Sequence, residues 1–322
     1  MILLGVHFCK ITCKNVNIHS YSLISFFCIM NQYSIPTLVQ RLFFLLCLTM
    51  SLTESKAQNW HVSGRFGFSN YQGDLQDRSF VLSQAKLTGS LGLRYDISEH
   101  FTARAFATLG TLTASDGNNS SAELKKRNLD FQSHILDFEL GAQYHIFSLN
   151  NKWWTPYVFA GIGLFNFDPA TRTNAGDKVS LASLSTEGQG FVNGRDPYSL
   201  WQFMIPFGVG AEYAITEDLR IGLELGYRST FTDYIDDVSK GYIDQNLLLN
   251  NRGPIAAELA YRGNETYPDA GVRRGNPDNN DSYYFVQLTI TLRPYVDWYA
   301  RTSGMASFKK NKKVGCPASR GY

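Results

Sequence analysis

The chain has 322 residues, a formal net charge of +2 and a mean hydropathy of −0.20. A charge this close to neutral argues against a nucleic-acid-binding protein, and beyond the N-terminal region no apolar run approaches the roughly 18 residues that a membrane-spanning helix needs. Aromatic residues at 14% and 27 glycines are more typical of a β-barrel than of an average soluble domain.

The N-terminus has the pattern of a secretory signal peptide. Arg41 supplies a charged flank, residues 42–52 form an apolar stretch, and residues 55–57 (Ser-Lys-Ala) match a small-x-small cleavage site. We expect translation to begin at Met30, so that residues 1–57 comprise an upstream extension and the signal. Four of the five cysteines lie within or before the apolar stretch, so the mature chain is expected to have no disulfide framework and no thiolate metal site.

Eight segments after the signal alternate apolar with polar or small side chains, as β-strands do. Each is longer than the about nine to eleven residues that a tilted strand needs to cross a membrane. The predicted strands are 60–71, 85–97, 100–113, 130–147, 153–167, 199–215, 218–232 and 281–295.

The clearest alternation is in residues 219–231. Successive side chains of a strand point to opposite faces, so this segment has one apolar face and one charged face. The apolar face carries Leu219, Ile221, Leu223, Leu225, Tyr227 and Phe231, and the charged face carries Arg220, Glu224 and Arg228. The pattern predicts that the apolar face meets lipid while the charged face lines the inside of a closed barrel.

The connections between the predicted strands alternate in length. The links at 98–99, 148–152 and 216–217 are tight, whereas those at 72–84, 114–129, 168–198 and 233–280 are long and polar. This alternation predicts an all-β fold over residues 58–295, an eight-stranded antiparallel up-and-down transmembrane β-barrel with a filled polar lumen. We expect it in the outer membrane of a Gram-negative bacterium, with the long loops outside and a basic tail, 296–322, in the periplasm.

Aromatic residues gather at both ends of the predicted strands. Amphipathic rings favour the headgroup level of a membrane, so we expect two aromatic belts. The short-turn belt is predicted to contain Trp60, Tyr95, Phe101, Tyr144, Trp153, Trp154, Tyr213 and Tyr295. The loop-side belt is predicted to contain Phe131, Phe167, Trp201, Phe231, Tyr234 and Tyr283.

Charged residues recur on the inward faces of the predicted strands. The interior of an eight-stranded barrel only just holds its own side chains, so charges there should be paired, mainly between adjacent strands. This structural interpretation is favoured over a proton or ion path. The predicted network comprises Arg65, Arg94, Asp96, Arg104, Asp137, Glu139, Glu212, Arg220, Glu224 and Arg228.

Residues 231–239 form an acidic segment in the last long loop. We predict that Asp233, Tyr234, Asp236 and Asp237 form a partner-contact loop. Clustered carboxylates can also bind calcium, but the spacing lacks the alternate ligands and turn glycine of a known calcium loop. Turn formation and partner contact are therefore favoured over a metal site.

A catalytic site is not indicated by the pattern of serines and histidines. His134 lies near the loop end of its strand, and the adjacent Ser133 points to the opposite face. A nucleophile needs an oriented base within hydrogen-bond reach, so we predict a protein that is not an enzyme and has no cofactor.

Several segments resemble one known family of membrane proteins. They are residues 155–163, 186–190, 205–210 and, most specifically, 223–239, which reads L-E-L-G-Y-R-S-T-F-T-D-Y-I-D-D-V-S. With them, most of the mature chain is similar to the PorG-like outer-membrane β-barrels of the type IX secretion system in Bacteroidetes-type bacteria.

The resemblance implies an integral barrel that anchors a secretion and gliding machine and has no catalytic residues. The expected partners are membrane lipid and periplasmic proteins of that machine, with no nucleic acid and no small-molecule substrate. Two alternatives remain open: a stand-alone structural or adhesion-type barrel and, third, a small outer-membrane lipid-modifying enzyme.

Overall fold

A computed structural model describes residues 59–76, 82–216 and 218–293. All of them belong to one compact unit, Ala57–Tyr322. The predicted signal peptide, the start at Met30, the cysteines and the basic tail lie outside the described residues.

The described residues form nine strands and four short α-helices. The strands are β1 Trp60–Gln72, β2 Lys86–Asp96, β3 Phe101–Ser115, β4 Asp130–His145, β5 Trp154–Arg172, β6 Lys178–Ser180, β7 Trp201–Ala214, β8 Leu219–Thr230 and β9 Ser282–Leu292. The helices are α1 Ala122–Arg127, α2 Leu181–Leu184, α3 Gln245–Arg252 and α4 Pro254–Ala260. Among these residues, no helix combines the length and hydropathy required to span a bilayer.

Eight of the strands close into a barrel, which confirms the predicted fold. All neighbouring pairs are antiparallel, β4 pairs with β5, and β9 pairs back to β1. Closure leaves no free sheet edge, as a barrel in lipid requires. The short β6 stands apart from this ring: it pairs with the loop end of β5, which runs to Arg172 instead of ending at residue 167 as predicted.

The barrel wall has an apolar exterior and a polar interior. Leu223 is 53% exposed, whereas the next residue, Glu224, is 1% exposed. The same alternation exposes Leu91 and Leu93 on β2, and Phe203, Ile205, Phe207 and Val209 on β7. A closed barrel with an apolar band, short turns on one side and long loops on the other is the architecture of bacterial outer-membrane barrels. The protein is therefore an outer-membrane β-barrel of the Gram-negative type.

The two aromatic belts are present, but the loop-side belt is smaller than predicted. On the short-turn side the exposed rings include Trp60, Phe101, Tyr144, Trp154 and Tyr213. On the loop side Trp201 and Phe231 are exposed, whereas Phe131, Phe167 and Tyr283 are buried inside the barrel. Assigning these three rings to the belt was wrong, because each lies on the inward face of its strand.

The four loop-side connections fold over the mouth of the barrel, and we call them the cap. In the described chain the cap comprises residues 73–76, 82–85, 116–129, 173–200 and 231–281. Its apolar residues share one core with the inward aromatic residues of the strands. This core contains Tyr71, Leu75, Leu129, Phe131, Phe165, Phe167, Leu181, Ile235, Val238, Leu259 and Tyr283. The loop end of the lumen is thus lined mainly by apolar side chains, and the ionic groups lie at its centre and toward the short turns.

Candidate functional site: an ionic lumen beneath a loop cap

The centre of the lumen holds two glutamates that are shared by three arginines. Glu224 lies 2.6 Å from Arg65, and Arg104 donates to it at 2.8 and 2.9 Å. Glu139 lies 2.7 Å from Arg104, 3.0 Å from Arg228 and 3.6 Å from Arg65. Because every one of these groups is buried, the pairing compensates for the loss of hydration that each charge suffers.

A second ionic cluster lies nearer the short turns. Arg94 donates to Glu212 at 2.9 Å, and Arg220 bonds to Asp96 at 3.0 Å and lies 3.6 Å from Glu212. His145 approaches Glu212 at 3.4 Å. This cluster closes the lumen just inside the short-turn mouth.

The structure brings all the predicted lumen residues together, but mostly across the lumen instead of along the wall. Pairing between adjacent strands occurs for Arg104 with Glu139 and for Arg220 with Glu212. Arg94 instead reaches from β2 to Glu212 on β7, its diametrically opposite strand. Arg228 likewise crosses from β8 to β4, where it lies 3.4 Å from Asp137. The prediction of adjacent-strand pairing was wrong for these two arginines.

Several uncharged or titratable neighbours of the network were missed in the sequence. Tyr157 donates to Glu224 at 2.8 Å, and Tyr283 donates to Asp137 at 3.1 Å. The guanidinium of Arg65 lies 3.6 Å from the ring centre of Phe106, and that of Arg104 lies 3.9 Å from the ring centre of Phe159. These four aromatic residues occupy inward-facing positions in the alternating pattern of their strands, and that alternation was the signal that could have identified them. Together these contacts make the lumen a packed plug.

The segments 186–190 and 231–239 meet in the cap. Glu187, from the segment 186–190, accepts hydrogen bonds from the backbone amides of Ser239 and Lys240 at 3.0 Å each. Arg274 bonds to the same carboxylate at 3.1 Å. Thr186 donates to Asp237, whose φ of 65° places it in the left-handed region. The segment 231–239 is therefore held by the preceding long loop.

The carboxylates of the predicted contact loop point into the protein. Asp233, Asp236 and Asp237 are buried, and Tyr234 is half-buried against Tyr198 at a ring distance of 4.6 Å. Direct contact of Asp236 or Asp237 with a partner would require the cap to open. Partner contact through this loop stays a prediction, and the structure engages the carboxylates of Asp236 and Asp237 in internal hydrogen bonds.

Burial changes the acidity of these loop carboxyls. It raises the pKa of Asp233 to about 8, with the charges of Asp74 and Asp236 acting in the same direction. It raises the pKa of Asp236 to about 8 and that of Asp237 to about 6, the Arg274 guanidinium opposing the latter shift. The cap thus contains carboxyls that favour the protonated form.

No described group of three or more His, Cys, Asp or Glu residues is placed to hold a metal ion. Near the loop end, His134 faces outward and bonds to Thr111 at 3.2 Å and to Lys178 at 3.3 Å. Ser133 is buried on the other face, where its hydroxyl accepts a hydrogen bond from the Asp168 amide at 3.0 Å. This serine and histidine do not meet.

A polar cleft of about 150 Å³ opens at the short-turn end of the barrel. Its lining includes Asp96, His145 and Arg220 of the turn-side ionic cluster and residues of the short turns. These residues include Asp96, Glu99, Thr102, His145, Asn150 and Arg220.

The chain is similar in shape to solved outer-membrane barrels. Neisserial surface protein A is 8% identical with a TM-score of 0.36, covering 73% of this chain and 97% of that one. OprG from Pseudomonas aeruginosa is 11% identical with a TM-score of 0.36, covering 73% and 96%. Ail, the attachment invasion locus protein of Yersinia pestis, is 10% identical with a TM-score of 0.35, covering 73% and 97%.

No curated protein matches the sequence. A family model described as a domain of unknown function, DUF6089, matches residues 40–250. This match covers more than half of the chain and most of the barrel. The chain therefore belongs to the DUF6089 family.

Proposed function

We propose that this barrel is a non-enzymatic anchor of a protein secretion and gliding machine, the type IX secretion system. The observation that carries the proposal is the filled lumen: Arg104 and Glu224 join opposite strands, and an aromatic core and the cap lie above them. A barrel plugged in this way is suited to be a fixed body in the membrane on which other proteins assemble. The likeness of residues 223–239 to the PorG-like barrels supports the choice of machine.

The short-turn end offers the contact surface for periplasmic partners. Its cleft presents carboxylate, guanidinium, amide and hydroxyl groups on turns whose ends are fixed by the barrel wall. The bonds at 3.0 Å between Arg220 and Asp96 and at 2.9 Å between Ser148 and Glu99 hold the rim in place. Such a rigid polar rim fits a folded protein partner.

The arrangement around His134 supports the non-enzymatic part of the proposal. Lys178 and Thr111 occupy its two ring nitrogens, and the nearest serine in sequence is buried on the opposite face. An oriented nucleophile and base are therefore not assembled by this pair.

Gene deletion followed by a secretion assay tests the proposal. Cargo that bears the type IX signal should remain in cells that lack the gene and be secreted again when the gene is restored. Unchanged secretion after deletion would reject the role in this machine. Co-purification with a tagged copy should also recover periplasmic proteins of the machine.

A matched pair of asparagine variants locates the contact. Asn150→Arg places a bulky cation in the turn-side cleft, whereas Asn250→Arg places one on the exposed surface of α3. We expect only Asn150→Arg to lower secretion, with the heat-modifiable gel mobility of a folded barrel retained in both. The reverse result would move the working surface to the cap.

An adhesion-type barrel is the second candidate, and exposed apolar side chains on the cap favour it. Leu247, Leu249, Ile255 and Val272 are all exposed there. Ile255→Asp should weaken attachment of cells to surfaces under this second function and leave it unchanged under the first. Normal attachment by the variant would therefore count against adhesion.

A further inference from the structure

One tyrosine hydroxyl joins the two ends of the largest loop of the cap. Tyr71, at the loop end of β1, lies 2.6 Å from Asp236 Oδ2 and 2.7 Å from Asp281 Oδ1. Asp236 follows β8 and Asp281 directly precedes β9, so these carboxyls belong to the two ends of the connection 231–281. All three side chains are buried.

Tyr71, Asp236 and Asp281 form a triad, and its hydrogen bonds show how many protons the triad holds. Both contacts have the length of an O–H···O hydrogen bond, and a phenol carries a single hydrogen. The other carboxyl oxygens are engaged as acceptors, since Asp236 Oδ1 receives the Val238 amide and Asp281 Oδ2 receives the Ile235 amide, each at 2.9 Å. The second short contact to Tyr71 therefore needs a hydrogen on Asp236 or Asp281.

Around the triad, acidic side chains outnumber the basic side chains that are not already paired with another carboxylate. When they are ionised, Asp74, from the β1–β2 connection, acts on Asp236 as a like charge and Asp233 acts on Asp281 in the same way, and Glu187 stands beside Asp233. Arg127 on α1 is the facing cation, and Asp116 binds it through two hydrogen bonds of 2.8 Å. A second negative charge in the triad would thus meet net repulsion.

We propose that Tyr71, Asp236 and Asp281 form a proton-operated latch that closes the cap. In the closed state one carboxyl keeps its proton and donates it to the phenol oxygen, while the phenol donates to the other, ionised carboxyl. At higher pH this proton leaves to water, two carboxylates remain with one hydroxyl hydrogen between them, and one loop end separates from β1.

Opening would expose residues that the closed cap hides. Ile235 and Val238 sit between the triad and the segment tied to Glu187, and both belong to the core shared with the lumen aromatics. Gly73 confines the triad from the side, because a Cβ at this position would overlap Asp281 Oδ1 and the Tyr71 hydroxyl. Burial and the charge of Asp236 also raise the pKa of Asp281, which agrees with a retained proton.

Hydrogen exchange of the folded protein in detergent micelles tests the latch. Labelling times at pH 6 and pH 9 are scaled to the intrinsic exchange rates, and protection is read on peptides that contain Ile235 and Val238. We expect at least a tenfold loss of protection at pH 9 in the wild type. Protection that is the same at both pH values would overturn the proposal.

Three variants separate the latch from a general effect of pH. The variants are compared in an Asp233→Asn background, because Asp233 is a second cap carboxyl whose pKa is raised to about 8. In Asp236→Asn and Asp281→Asn the amide replaces the shared proton as the donor to Tyr71, so protection should persist at pH 9. Tyr71→Phe removes the bridge and should lose protection already at pH 6. Asp278→Asn, whose side chain is 85% exposed, should retain the wild-type profile. Asn variants with the wild-type profile would contradict the mechanism.

Infrared difference spectra provide a second measurement that does not depend on the variants folding normally. The wild type should lose a protonated-carboxyl carbonyl band between pH 6 and pH 9, in step with the loss of exchange protection. A loss of this kind should still be seen in Asp233→Asn, which lacks the other cap carboxyl whose pKa is raised to about 8. A cap that loses protection without this band changing would also overturn the latch. Heat-modifiable gel mobility identifies any variant whose barrel has not formed.

Discussion

Arg104 and Glu224 face each other from opposite strands of the barrel and are joined by two hydrogen bonds of 2.8 and 2.9 Å. The same carboxylate receives Arg65 from β1 and the Tyr157 hydroxyl from β5. Glu224 therefore ties four strands through one group. Loss of its charge would leave the buried guanidinium groups of Arg65 and Arg104 with only Glu139 as a counter-charge, and removing one partner of a buried ion pair is costly.

Replacing Glu224 by glutamine tests this bracing role. Removing one partner of a buried ion pair costs about 3–5 kcal/mol, and we expect a loss in that range for the free energy of unfolding. The measurement is urea unfolding of the barrel in lipid vesicles. Glu123→Gln, on the exposed surface of α1, is the matched control and should change the value by about 0.5 kcal/mol or less. A Glu224 variant no less stable than this control would contradict the role.

The neighbouring Leu223 tests the opposite face of the same strand. Leu223→Arg places a cation in the apolar band, and the expected cost is about 2–4 kcal/mol near the bilayer midplane. Ile97→Arg, at the short-turn end of β2, should cost about 0–1 kcal/mol because a cation there reaches the headgroups. Insertion into vesicles measures both values. Equal costs at the two positions would argue against the predicted depth of Leu223.

The inward and outward assignment of side chains could be predicted because lipid and lumen impose opposite chemistry on alternate residues. This parity separates Leu223 from Glu224 correctly. It also predicts that Phe131 faces inward, since Phe131 has the parity of Asp137 on the same strand. Assigning Phe131 to a membrane belt by its position near the strand end ignored that parity, and the ring is buried.

The partners across the lumen could not be predicted in the same way. Parity tells which face a side chain occupies, but the height at which it crosses the barrel depends on strand tilt and stagger. The 2.9 Å contact between Arg94 and Glu212 is a consequence of that geometry. The structure of the cap could not be predicted from local sequence patterns either, because the bonds from Ser239 and Lys240 to Glu187 join segments more than 50 residues apart.

Removing Glu187 should free the segment 231–239 from the preceding loop. Glu187→Ala deletes the acceptor for two backbone amides and for Arg274, and leaves the buried guanidinium unpaired. Hydrogen bonds to charged groups contribute about 1.5–3 kcal/mol each, so the loss of all three is expected to cost about 4.5 kcal/mol or more and to raise the open population by roughly a thousandfold or more. Cleavage by trypsin after Lys240 should accelerate accordingly.

The control for this experiment is Glu265→Ala. Glu265 lies in the loop 231–281, which also contains the segment 231–239, and its side chain is 61% exposed beside Lys126. An exposed ion pair contributes about 0–1 kcal/mol, so this variant should be cleaved at nearly the wild-type rate. If both variants are cleaved alike, Glu187 does not hold the segment.

Asp233 makes the stability of the cap depend on pH. Its pKa in the folded protein is raised to about 8 from an ordinary value of 3.8, so the folded state binds a proton that the unfolded loop releases. Stability from this group is complete below about pH 4 and is lost as the pH rises toward 8.

Asp233→Asn should remove that part of the pH dependence and leave the cap more resistant to proteinase K at pH 8 than the wild type. Digestion rates normalised to an unfolded peptide measure this, with the exposed Asp196→Asn as control. Because Asp236 and Asp237 also have raised pKa values, of about 8 and about 6, part of the loss of stability with rising pH should remain in the variant. A variant with the full wild-type pH profile would mean that Asp233 is ionised in the closed cap.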